Sequence, residues 1–227
     1  MKDWNNLPLE LQCDEVRKYY NILSAKRGQL VLKRIFDIGM GIGVLAVTAI
    51  PMAVIAFLIS KDSSGGVFFR QERITQYGRI FRIHKFRTMV VNADQIGASV
   101  TVSGDSRVTN IGRVLRRYRL DELPQVFDVL SGDMSFVGTR PEVKKYVDSY
   151  TNEMKATLLM PAGITSEASI LFKDENQLLD CAENVDQVYL NKVLPEKMKY
   201  NLQSLENYSL VNDFKVLKDT FVRVFFK

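Results

Sequence analysis

Hydrophobic and polar positions follow three different patterns along the 227 residues. Leu9, Cys13, Val16, Tyr20 and Leu23 recur at steps of three and four, which predicts a short amphipathic surface helix with Pro8 near its start. From Ile38 to Ile59 the periodicity disappears into 22 residues without a charge. At about 1.5 Å per residue a straight helix of that length reaches roughly 33 Å, enough to cross a bilayer. Pro51 lies past its midpoint, lacks a backbone donor and clashes with the preceding turn, so a kink or break is expected near Ala49 and Ile50. Hydropathy alone favours a single spanning helix, since such helices tolerate proline. A broken helix that enters and returns is the alternative, and a buried helix of a soluble core suits the length least. Lys33 and Arg34 precede the segment and Lys61 and Arg70 follow it, an arrangement best satisfied with both ends on the cytoplasmic face. Gly39, Gly41 and Gly43 either pack against the N-terminal segment or are filler.

Beyond the apolar run, β-branched and aromatic residues fill Val67 to Arg73 and Ile80 to Phe86, which predicts a hairpin around the ITQYG connection. If the second segment is a strand, His84 and Phe86 share one face, and Lys85 and Arg87 the other. Asn92 to Asp105 reads as a polar loop, long enough for a lid. Arg113 to Asp121 has helical composition. Pro124 disfavours helix at Leu123 and suits the first position of a new helix through Leu130, ended by Ser131-Gly132. Tyr189 to Tyr200 and Phe214 to Phe226 mix cations with apolar residues, as amphipathic helices on a membrane surface do.

Charge narrows the function classes. With 31 Lys+Arg against 26 Asp+Glu, the net +5 fits an anionic membrane surface or substrate and is too weak to argue for nucleic acid. Cys13 and Cys181 are far apart and no cysteine or histidine cluster has zinc spacing, so neither a disulfide framework nor a zinc site is expected. The first residues lack the basic-then-apolar order of a cleavable signal, so the apolar segment is expected to persist.

The chemistry concentrates in RRYRLDELPQVFDVLSGDMSFVGTRP, from Arg116 to Pro141. Aspartate can attack phosphorus, arginines hold phosphoryl oxygens by paired hydrogen bonds, and carboxylates bind divalent cations. Asp121 and Glu122, neighbours at a helix junction, point about 100° apart on a helix and so suit different roles. A solvated salt-bridge patch has the same composition. Density argues for a site: Arg113, Arg116, Arg117 and Arg119 meet Asp121, Glu122, Asp128 and Asp133 between two glycines. Arg140, rigidly placed before Pro141, either presents its guanidinium to phosphate or pairs with Glu142. Lys85 and Arg87 form either an anion site or a solvated edge. His84, the single histidine, reads as a structural hydrogen-bonder rather than a base.

KRIFD, HKFRTM, GDSRVTNIGRVLRR, LDELPQVFDVLSGDMSFVGTRPE, PAGIT and VLPEKMKYNL occur in the order seen in bacterial sugar transferases. The chain resembles their small monotopic phosphoglycosyl transferases from about residue 31 to 225. The resemblance implies transfer of a sugar-1-phosphate from a UDP-sugar to undecaprenyl phosphate, with UMP release and Mg²⁺. Asp121 matches the family nucleophile and Glu122 its partner in metal binding or proton handling, which makes the two the metal candidates. Arg116 and Arg140 match phosphate-binding positions, while Lys85 and Arg87 lie in a motif thought to line the site. The apolar segment resembles a re-entrant helix broken at Pro51, which reverses the hydropathy preference. The expected fold is α+β and mainly helical: an N-terminal helical extension (1–30), the re-entrant helix (31–62), a catalytic domain with a small hairpin (63–185), and amphipathic interfacial helices (186–227). It belongs on the cytoplasmic face of the inner membrane among membrane lipids, and homo-oligomerisation stays open. A departure from the pattern in ITSEASILFKDENQLL leaves the sugar open. Two rivals are a membrane-anchored binder of phosphorylated ligands and a polyprenyl-phosphate phosphatase or pyrophosphatase.

Overall fold

The computed structural model describes residues 1–93, 105–172, 178 and 184–225. Most of the expected polar loop, and Cys181, lie outside them. Helix α1 (Asp14–Ala25) starts later than its periodicity suggests, because Pro8 introduces a single 3-10 turn at Leu9–Leu11. Nor is its stripe a surface feature. Val16, Tyr20 and Leu23 pack with Leu7 and Leu11 against Ala156, Leu159, Met160, Leu205 and Tyr208. An apolar stripe needs an apolar partner, and this one finds it within the protein.

Helix α2 (Arg27–Asp62) runs 36 residues with Pro51 in its interior. The helical assignment continues on both sides of the proline. Pro51 leaves the Val47 carbonyl without its intrahelical donor, and the Thr48 hydroxyl donates to the Val44 oxygen at 2.8 Å, a back-bond that also favours bending. Only one stripe is buried: Lys33, Asp37, Gly41, Met52 and Ile59. The opposite face exposes Ile35, Ile42, Val47, Ile50, Val54 and Phe57. Gly41 does pack closely, but against Leu130 and Val126 and not the N-terminal segment: a Cβ there would lie 2.9 Å from Leu130 Cδ2, while Gly39 and Gly43 face open space.

The hairpin forms as expected, with β1 (Phe68–Ile74) antiparallel to β2 (Ile80–Phe86), Phe68 facing Phe86 and Ile74 facing Ile80. Buried Thr75 closes it and joins it to the rest: its hydroxyl donates to the Asp133 oxygen at 2.6 Å and accepts from the Ala162 amide at 3.2 Å. Helix α3 (Asn110–Arg117), capped by Thr109, ends before Asp121 because Arg119 adopts a left-handed conformation at φ 53°, which an α-helix cannot contain. A 3-10 turn (Leu120–Glu122) follows, then α4 (Gln125–Ser131), with Pro124 one residue outside it and Gly132 at φ 88° as its cap.

Strand β3 (Met134–Val137) then pairs parallel with β4 (Ala162–Thr165), a small sheet absent from the sequence-based expectation, and α5 (Lys144–Val147) lies in the crossover. After α6 (Glu167–Leu171), α7 (Val185–Val188) passes through a π-turn (Tyr189–Val193) into α8 (Leu194–Glu206), and α9 (Leu210–Phe225) completes the chain. The apolar face of 189–200 is covered by protein: Tyr189, Val193, Leu194 and Met198 are buried against Tyr146 and Tyr150. Helix α9 keeps Val211, Phe214, Phe221 and Val222 exposed and anchors through Val216 against Phe81, Val129 and Phe136. Among the described residues the fold is mainly helical with two two-stranded sheets.

Candidate active site

Three segments bring the central charges together. Strand β2 carries Lys85, and the 3-10 turn before α4 carries Asp121 and Glu122. The loop after β3 supplies Arg140. Lys85 Nζ lies 2.9 Å and Arg140 Nη2 2.5 Å from the same oxygen, Glu122 Oε1. Burial by itself raises the Glu122 carboxyl, but Arg140 and Lys85 overcome it and hold the group well below the usual carboxylate range. Asp121 moves the other way. Burial, then the charge of Glu122, raises its carboxyl above the ordinary value, against the pull of Lys85, Arg116 and Arg140. Among the described residues no side-chain hydrogen bond or ion pair holds Asp121.

Arg140 owes its position to a rigid loop. Gly138 N donates to the Thr165 oxygen at 3.0 Å and Gly163 N to the Thr139 oxygen at 2.8 Å. These strands touch so closely that a Cβ on Gly163 would fall 2.2 Å from Gly138 N. Past Pro141, Arg73 Nη1 donates to the Pro141 oxygen at 3.1 Å, and Ile74 N donates to the Glu142 oxygen at 3.0 Å.

The other predicted residues divide. Arg116 stands at the rim: its Nε donates to Thr88 Oγ1 at 2.8 Å, and its charge acts on Asp121. Arg87 lies one residue beyond β2 and donates to the Ser63 oxygen at 2.7 Å, where α2 ends. It therefore shares no partner with Lys85. His84 is a structural hydrogen-bonder, as expected: its Nδ1 lies 2.6 Å from Asp128 Oδ1, and its backbone N donates to Asp128 Oδ2 at 2.8 Å. The role of Asp128 was not legible in the sequence. It braces β2 from behind the site through its bonds to His84. No three His, Cys, Asp or Glu side chains among the described residues converge to hold a metal ion.

Two partly buried carboxylates, one of them held by two cations, thus lie beside the long apolar helix α2. The bacterial sugar transferase family model matches residues 28–227, and the chain belongs to that family. It is 48% identical over 114 residues to an Aeromonas hydrophila UDP-N-acetylgalactosamine-undecaprenyl-phosphate N-acetylgalactosaminephosphotransferase, covering 48% of this chain and 27% of that protein. It is 37% identical over 150 residues to a Bacillus subtilis putative undecaprenyl-phosphate N-acetylgalactosaminyl 1-phosphate transferase, covering 66% of this chain and 83% of that one. A Xanthomonas campestris UDP-glucose:undecaprenyl-phosphate glucose-1-phosphate transferase is 35% identical over 179 residues, or 76% of this chain and 34% of that protein. The chain thus spans between a quarter and five sixths of these relatives' lengths.

Proposed function

We propose that the protein transfers a sugar-1-phosphate from a UDP-sugar to undecaprenyl phosphate, releasing UMP. The observation that carries the division of labour is the asymmetry of the carboxylates: Glu122 is committed to Lys85 and Arg140, while Asp121 beside it has no side-chain hydrogen bond or ion pair among the described residues. Asp121 attacks the phosphorus that bears the sugar. The bond to the bridging oxygen breaks, and UMP leaves with that electron pair. An oxygen of undecaprenyl phosphate then attacks the same phosphorus and displaces the Asp121 carboxylate. Glu122 fixes Lys85 and Arg140 in place. These two, with Arg116, hold the diphosphate and offset charge as UMP departs. The relatives named for undecaprenyl phosphate and for a UDP-sugar support both substrates.

Mg²⁺ fits as a substrate-borne ion. Asp121, which has no side-chain partner among the described residues, would hold it, in keeping with a preference for one or two protein carboxylates, and no group of three ligating side chains among the described residues offers an all-protein cage. When bound, it supplies neutralisation of phosphate charge.

For α2 we propose a re-entrant seat in the cytoplasmic leaflet of the inner membrane. Both halves of the helix bind one body: Arg34 Nη1 donates to the Val129 oxygen at 2.6 Å, and Met52 and Ile59 pack with Phe86 and Leu115. A single pass would carry those ends to opposite faces. The assay is incubation with Mg²⁺, undecaprenyl phosphate and a panel of UDP-sugars. UMP release and, without acceptor, a mass gain of one phosphosugar that Asp121→Asn abolishes are expected. Absence of UMP with every donor sinks the reading. Single cysteines at the exposed positions 29 and 61 should both label from the cytoplasmic side, and labelling of one alone means a spanning helix.

A further inference from the structure

Behind the Arg140 loop lies a buried polar network that the reaction as proposed does not use. Glu142 is 7% exposed, and its carboxylate accepts a short hydrogen bond from the Tyr189 hydroxyl at Oε1. Arg73 Nη1 faces Oε2 at 3.9 Å and also donates to the Pro141 oxygen at 3.1 Å, while its Nη2 donates to Gln71 Oε1 at 2.6 Å. Tyr189 stacks on Tyr146 with ring centroids 4.7 Å apart, and Lys197 covers its ring at 5.5 Å. It also opens the π-turn, a rare widening of a helix that often marks a functional position. A buried carboxylate and phenol and a mostly buried guanidinium cost desolvation, which their mutual contacts offset.

We propose that Tyr189, Glu142 and Arg73 form a positioning network that sets Arg140 toward the donor phosphates, which rests on the phosphate-holding role given to Arg140 above. The geometry is direct. Arg140 is flanked by Thr139, whose oxygen is held by Gly163 N, and by Pro141 and Glu142, whose oxygens are held by Arg73 and Ile74. The Glu142 side chain links that backbone to α8 through the π-turn. None of the three side chains is placed against the reacting phosphorus. They act through Arg140.

The test uses the full chain with Tyr189→Phe, Glu142→Gln and Glu142→Ala. Hydrogen–deuterium exchange over 138–142 should quicken several-fold in Tyr189→Phe, with α1 and α4 unchanged. Unaltered exchange there overturns the network. In UMP release, Tyr189→Phe and Glu142→Ala should lose about 10-fold in kcat/KM, mostly through KM for the UDP-sugar, with Glu142→Gln recovering most of it. In an Arg140→Ala background the same changes should cost nothing more, and a further loss there overturns the proposal. A wild-type chain that releases no UMP refutes the function, while the exchange result still decides the network.

Discussion

At Asp121 the fold works against itself. Burial raises that carboxyl, so the acid form is the one the folded state favours: the associated stability is complete below the unfolded value and disappears as pH rises through the folded one. Glu122 is the opposite case. Its folded value is depressed by Arg140 and Lys85, so its contribution is present above the unfolded value of about 4.3 and is lost only as pH falls through a folded value below the usual carboxylate range. The two amide variants should therefore melt in opposite directions at neutral pH. Asp121→Asn raises the melting temperature and abolishes UMP release, whereas Glu122→Gln lowers it by leaving Lys85 and Arg140 short of a counter-charge. A scanning calorimeter checks both, and a drop for Asp121→Asn would remove the idea that function holds this group against its preference. The adjacency of the pair was legible in the chain. Its asymmetry depends on Lys85 and Arg140, residues 37 and 18 positions from Glu122.

Elements are joined by charges the hydrophobic pattern does not reveal. Lys33 in α2 and Asp213 in α9 pair at 2.7 Å with side chains 5% and 13% exposed, and Asp37 Oδ1 accepts from the Phe136 amide at 3.2 Å. Removing one member of a buried pair leaves the other uncompensated, at about 3–5 kcal/mol. Lys33→Ala or Asp213→Ala should each destabilise strongly in chemical denaturation, and Lys33→Met with Asp213→Leu together should recover most of the loss. Failure of the double variant to recover would mean that the pair specifies the α2–α9 register. Strand and turn signals found the β1–β2 hairpin within a residue, since alternation and a short connection are local. The β3–β4 pair escaped because parallel pairing depends on a crossover through α5. Helix α3 ended early because the left-handed backbone of Arg119 has no marker in residue type.

Across the whole molecule, the N-terminal segment outside the family match is part of the core. Leu7, Leu11, Val16, Tyr19 and Leu23 cover Leu159, Met160 and Leu205, and Lys26 Nζ donates to the Tyr208 oxygen at 2.6 Å. Deleting residues 1–26 should lower the melting temperature by 10 °C or more, at about 2–4 °C per kcal/mol for this size, and expose apolar surface to a dye. An unchanged melt would show the segment to be an appendage. The apolar run, the hairpin, the charged centre from Arg116 to Pro141 and the family likeness were all written in the sequence, because each depends on residues close together in the chain. Only the tertiary structure decided which apolar stripes meet protein, which carboxylate is pinned and how Arg140 is held. Those outcomes are contacts between distant segments, and a chain's local pattern states that a face must be covered without stating by what.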